Sequence, residues 1–104
     1  MLKIKVKDLL SLKDNDGMTL VNGRLVTYNN GYQVALYGVE TTSATFALKV
    51  IKQYNGNVGI WYSKKIFYID RSIHVDSLED ALRIGRENNQ LSILDWSTME
   101  LIWL

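Results

Sequence analysis

TLVNGRLVTYNNGYQVALY, residues 19–37, holds two turn signals inside a β-rich run. Asn22-Gly23 separates the runs 19–21 and 24–28, and a type I′ hairpin turn needs positive φ at both central residues, which Asn and Gly tolerate best. Asn29-Asn30-Gly31 repeats that chemistry before residues 32–37. The stretch predicts a three-stranded antiparallel meander.

C-terminal to it the hydrophobic period changes. Over residues 43–54, Phe46, Ala47, Val50, Ile51 and Tyr54 fall on one face and Thr45, Lys49 and Lys52 on the other, which predicts an amphipathic helix. Thr41 or Thr42 is the expected N-cap, and Asn55-Gly56 offers a left-handed residue to end the helix. Residues 58–62 and 66–69 then read as a hairpin around Ser63-Lys64-Lys65, with 73–75 extending the second strand beyond a kink.

Ser77-Leu78-Glu79-Asp80 places a hydroxyl at an N-cap and acids in the first turn, so a second helix is expected to about Asn88. Its buried stripe is Leu78, Ala81, Leu82 and Gly85, and Gly85 costs about 1 kcal/mol against Ala unless a close helix-to-sheet approach needs it. Residues 91–94 and 99–104 close the chain as a hairpin around Asp95-Trp96-Ser97-Thr98. At the other end, Leu2, Val6, Leu9 and Leu10 have helical spacing while Ile4 and Val6 alternate with lysines, and the reading favours a short helix over 6–12. The pattern predicts an α+β fold, a mainly antiparallel β-sheet with two amphipathic helices packed on one face, in a single domain over 1–104. Residues 47–52 echo 81–86, but Leu82 lies on its helix's buried stripe and Leu48 at the margin of its own, so a duplication is not inferred.

The composition excludes several classes of function. There are 104 residues, 12 Lys plus Arg against 11 Asp plus Glu, one His, and neither Cys nor Pro. Without Cys there are no disulfides, thiolate nucleophiles or zinc-finger ligands, and the expected address is the cytoplasm. No apolar run approaches the roughly 18 residues of a membrane span, so no membrane partner is expected. A formal net charge of +1 supplies no broad field for phosphate backbones, which argues against a DNA-binding role.

Three connected stretches, Gly56-Asn57-Val58-Gly59-Ile60-Trp61-Tyr62, Tyr68-Ile69-Asp70-Arg71-Ser72 and the run from Ala81 to Trp96, join Gly31-Tyr32-Gln33-Val34-Ala35 and Gly38-Val39-Glu40 in a pattern over about residues 17–96. The pattern resembles small phage-encoded accessory proteins of unassigned function. That resemblance implies a counter-defence role in the host cytoplasm, by binding a defence protein or by sequestering a nucleotide signal.

The candidate site residues are Trp61, Tyr62, Arg71, Arg86, Asn88, Asn89, Gln90 and Trp96. Trp61 and Tyr62 alternate on a strand, so one is core and the other is available, and the spacing leaves open which. Asp70-Arg71-Ser72 reads either as a turn salt bridge or as a loop presenting a guanidinium and a hydroxyl to phosphate. Arg83 is matched by Glu79 and Glu87, whereas Arg86 at the stripe's edge is unmatched and could reach a ligand. The amides of Asn88, Asn89 and Gln90 either satisfy loose backbone groups or read a base edge. Trp96, in a turn, is left open between local packing and a ligand or interface. Ser72, His74 and Asp76 share a strand face, but same-face neighbours stand almost 7 Å apart, too far for a proton relay.

These residues suit a non-enzymatic binder of a nucleotide-like small molecule, with aromatics on the base, Arg71 or Arg86 on phosphate and no cofactor, in a pocket formed between protomers. A protein-binding inhibitor of a host defence enzyme is the alternative, with the same aromatics as anchors. A metal-independent hydrolase or nuclease using His74, Tyr68 and Lys64 or Lys65 is the third reading. The apolar terminus Met99-Glu100-Leu101-Ile102-Trp103-Leu104 predicts a homo-oligomer, as a dimer or larger, since one small core cannot cover both its faces.

Overall fold

The computed structural model describes residues 4–104, so the helical spacing read at Leu2 lies outside it. In chain order the elements are α1 (Val6–Leu10), β1 (Asp16–Val21), β2 (Arg24–Val26), β3 (Tyr32–Thr41), α2 (Ala44–Gln53), β4 (Asn57–Ser63), β5 (Ile66–Val75), α3 (Leu78–Glu87), β6 (Ser92–Asp95) and β7 (Glu100–Trp103). The strands form a seven-stranded sheet in the order β2-β1-β4-β5-β3-β6-β7, with every neighbouring pair antiparallel. The fold is α+β, with the helix-packed cores on one face of the sheet.

The turn chemistry explains the hairpins. Asn22 and Gly23 have φ of 52° and 78°, as a type I′ turn requires, and join β1 to β2. Lys64 and Lys65 adopt the same geometry, at 51° and 67°, between β4 and β5. The expected meander is not formed. β3 pairs with β5 and β6, four strand positions away from β2. Residues 27–31 carry the chain from β2 to β3, bending at 29–31 with Gly31 at φ 82°. A turn signal fixes where a chain bends and leaves the partner strand undetermined.

Boundaries also shift: β1 begins at Asp16, β2 ends at Val26 and β3 runs on to Thr41. Ser43 caps α2, its Oγ accepting from the Phe46 N–H at 3.1 Å, while Thr41 Oγ1 accepts from the Ser43 N–H instead. β5 runs through Asp70-Arg71-Ser72 without a kink, because the irregularity lies in its partner β3 between Ala35 and Tyr37.

Two cores lie beneath the helices. α1 and α2 bury Leu9, Ala47 and Ile51 against Leu20, Val58, Ile60, Phe67 and Ile69. α3 buries Ala81 against Val34 and Ile93, with Ile73, Val75 and Ile102 around them. Leu78 is exposed, so the stripe on α3 is narrower than its spacing suggests. Gly85 does mark a close approach: a Cβ there would stand 2.7 Å from Leu104 Cδ1 and 3.2 Å from Ile93 Cγ2.

Candidate functional site

Because side chains alternate along a strand, the residues next to the core positions project from the helix-free face. Cross-strand register groups them there: Thr19 and Gly17 on β1, Asn57, Gly59 and Trp61 on β4, Tyr68, Asp70, Ser72 and His74 on β5, and Gln33, Gly38 and Glu40 on β3.

One end of this face is roofed by the crossing segment. Tyr28 stacks on His74, with ring centroids 3.9 Å apart and 13° between planes, and meets Trp96 edge-on at 5.4 Å. Its hydroxyl donates to Asn57 Oδ1 at 3.2 Å. His74 Nε2 lies 2.8 Å from the Asn30 carbonyl, while Nδ1 is 4.0 Å from Asp76. Gly31, at φ +82°, admits this contact, since a Cβ there would lie 2.5 Å from His74 Nε2. Beneath the roof, Ser72 is 1% exposed and its hydroxyl donates to the Asn57 carbonyl at 3.5 Å. Thr19 Oγ1 donates to Gln33 Oε1 at 3.2 Å, so the Gln33 amide reaches across to β1.

The other end is open. Trp61, 45% exposed, lies against Tyr68 with centroids 5.0 Å apart and planes tilted by 33°. Beside this pair stands Asp70, whose two cross-strand neighbours are Gly38 and Gly59. Trp61 itself faces Gly17 on β1, so Trp61 and Asp70 rise from positions lacking a neighbouring side chain on one side and on both sides respectively. Burial, reinforced by Glu40, pushes the Asp70 carboxyl up to about 6. No ion pair among the described residues involves Asp70 or Glu40. Arg71, next to Asp70 on β5, alternates to the opposite face, where its guanidinium lies at Gly56, and Lys64 and Lys65 are exposed at the hairpin tip, beyond the aromatic pair from Asp70.

Of the eight residues expected from the sequence, only Trp61 belongs to this open surface. Tyr62 points the other way and packs on Phe67 beside the first core, which resolves the strand pair. Arg71 also projects to the helix side, where its guanidinium lies against Gly56 and donates to the Ser72 carbonyl. Arg71 and Ser72 are consecutive in a continuous strand and so cannot present their side chains to one phosphate. Asn88 Nδ2 donates to the Ile84 carbonyl at 2.9 Å and Gln90 Nε2 to the Asn88 carbonyl at 3.2 Å. Asn89 takes the left-handed position, φ 56°, after α3. The amides thus end a helix. Arg86 is exposed in the last turn of α3, and Arg83 pairs with Glu87 at 3.0 Å and Asp80 at 3.5 Å, not with Glu79. Trp96 is 6% exposed and packs locally, its Nε1 being buried without a hydrogen-bond partner among the described residues. The expected group therefore does not converge.

The hydrolase set does not converge either. Tyr68 and His74 are six residues apart on β5, about 20 Å along an extended strand. The Ser72 hydroxyl serves Asn57, not His74. Among the described residues no three His, Asp or Glu side chains are grouped to hold a metal ion, and no helix is long and apolar enough to cross a membrane. An open depression of about 520 Å³ lies between the β1–β2 turn and the end of α2, lined by Asn22, Ile51, Lys52, Tyr54 and Asn55 among others, and includes none of the eight residues.

Sequence reasoning missed Tyr68, Asp70 and Glu40 as neighbours of Trp61. Their register across three strands was the missing information, although Gly59, inside the strand read over 58–62, was a visible sign of an uncovered position. No family model, curated protein or solved structure matches the chain.

Proposed function

We propose that this chain is a non-catalytic binding protein that docks on a partner protein through the open end of its helix-free face. The observation that carries this reading is the Trp61–Tyr68 pair, standing in the middle strands of a sheet with its indole 45% exposed. Large aromatics in the centre of a surface are the residues that most often anchor protein interfaces. The counter-defence resemblance is compatible with such a role, as an inhibitor of a host defence enzyme. Sequestration of a nucleotide is supported less, because Arg71 lies on the opposite face and Asp70 and Glu40 stand beside the aromatics, where a phosphate would be repelled.

Since the chain contains no cysteine, a benzophenone attached at Lys65→Cys reports contacts at this end of the face, with Glu79→Cys on α3 as the control. Adducts formed in source-cell lysate from position 65 but not from 79, and competed by the unlabelled wild type but not by a Trp61→Ala/Tyr68→Ala variant, support the reading. Equal labelling from both positions, equal competition by the double variant, or no adduct defeats it.

We further propose that copies pair along β7. This strand ends the sheet, and Leu101 and Trp103 are 53% and 69% exposed on it. An unpaired apolar edge is a template for a second strand. Sedimentation of the wild type as a dimer, and of Leu101→Lys/Trp103→Lys as a monomer, is the expected result; a monomeric wild type at micromolar concentration overturns it.

A further inference from the structure

We infer that the recess formed by Trp61, Tyr68, Asp70 and Glu40 receives a cationic side chain, a guanidinium or an ammonium, from the partner protein. The inference rests on the docking surface proposed above and names the chemistry it selects.

Charge complementarity is the first ground. Asp70 is half-buried on the helix-free face, with Glu40 near enough to disfavour its ionisation, and no ion pair among the described residues reaches either carboxylate. Two like charges in partial burial are stabilised by an opposite charge brought between them. The second ground is the aromatic pair. Tyr68 sits across β4–β5 from Trp61 and across β3–β5 from Glu40, so the electron-rich rings and the carboxylates border the same space. A cation over an indole or phenol face is attracted by the ring quadrupole, most strongly when water is displaced.

Space is the third. Asp70 is flanked on both sides by glycine, and a side chain at Gly38 would run into the Asp70 carboxylate and the Ile69 carbonyl. A Cβ at Gly59 would stand 3.1 Å from Gln33 Nε2, so the Gln33 amide borders the recess on the roofed side. The carboxylate thus lies over Gly38 with no cross-strand side chain competing for its oxygens there, and a planar fork or a small ammonium head can meet it from the Trp61–Tyr68 side. An anionic group is disfavoured by the same arrangement. A purely apolar anchor would leave both carboxylates desolvated and unpaired, which costs free energy.

The test uses backbone and indole amide NMR of the ¹⁵N-labelled full chain, titrated with N-acetylarginine amide, N-acetyllysine amide and N-acetylglutamate amide. Expected are shifts confined to the Trp61 indole and to residues around 38–40, 59–61 and 68–70 with the two cations and absent with the anion. Asp70→Asn should weaken that binding about tenfold and Glu40→Gln several-fold, with the spectrum elsewhere unchanged, as loss of a charge-assisted contact predicts. Asp76→Asn, which removes an exposed carboxylate outside the recess, should leave it unchanged. Shifts scattered over the surface, a response to the glutamate probe equal to that of the cations, or unaltered affinity in Asp70→Asn overturns the inference. Cross-linking from position 65 that persists alongside such a result leaves the docking surface standing and removes only its cationic anchor. Cation binding in the recess without competed adducts does the reverse.

Discussion

The two ends of the helix-free face solve the same problem in opposite ways. At the roofed end the polar groups are turned inward on one another: Tyr28 lies over His74 and bonds Asn57, Ser72 bonds the Asn57 backbone, and Asn30 meets the imidazole. At the open end Asp70 has glycine across both strands and Trp61 across one, Tyr68 and Glu40 stand side by side next to them, and Asp70 has no counter-charge among the described residues. A buried polar group costs little when it is hydrogen-bonded and a good deal when it is not. The roofed end accordingly has the character of structure, and the open end that of a surface awaiting an occupant.

If that contrast holds, Trp96→Ala should cause the largest loss of stability, about 3–5 kcal/mol, because it removes a nearly buried indole from beneath Tyr28. Trp96→Phe should cost far less, since it also removes the unpartnered Nε1–H. Chemical denaturation measures both, and a small effect of Trp96→Ala would erase the difference between the ends. Tyr28→Ala should follow at about 2–3 kcal/mol, from a lost ring stack and hydroxyl bond, with faster amide exchange over residues 27–31.

The open end should respond in the other direction. Asp70→Asn is expected to raise stability at pH 7 by about 1 kcal/mol, a value discounted for the solvent that still reaches the carboxyl. The sign follows from linkage: the carboxyl titrates at about 6 in the fold against a usual 3.8, so the folded chain holds a proton that the unfolded chain has released. Asp70 therefore makes stability fall as pH rises between about 4 and 6. Asp95, held below its usual range by the Ser97 hydroxyl, contributes the opposite slope at lower pH, as its carboxylate protonates. Comparing the wild type with Asp70→Asn across pH isolates the first term, and parallel curves would mean that Asp70 is not strained.

Trp61→Ala should destabilise by only about 1 kcal/mol, the scale of an exposed aromatic pair, while abolishing competition in the cross-linking experiment. A loss like that of Trp96→Ala would make Trp61 structural and close the gap between the two ends. Smallest of all, Arg83→Ala and Arg86→Ala should each stay within about 0.5 kcal/mol of wild type, since the pairs of Arg83 are exposed and Arg86 has none among the described residues. Unequal binding by these two would return Arg86 to the site.

Local signals alone determine the hairpin at Asn22-Gly23, the two amphipathic helices, the Ser77 cap and the close approach at Gly85. Each depends on neighbours within a few residues: a positive φ, a 3.6-residue period, a hydroxyl three residues from an N–H, or a missing Cβ. The pairing of β3 with β5, and not with β2, belongs to the tertiary structure, because turn chemistry cannot choose among sheet edges. That choice sends residues 27–31 across the sheet, puts Tyr28 on His74 and buries Trp96. The remaining end of the face is left to Trp61, Tyr68, Asp70 and Glu40, residues up to 30 positions apart that only strand register makes neighbours.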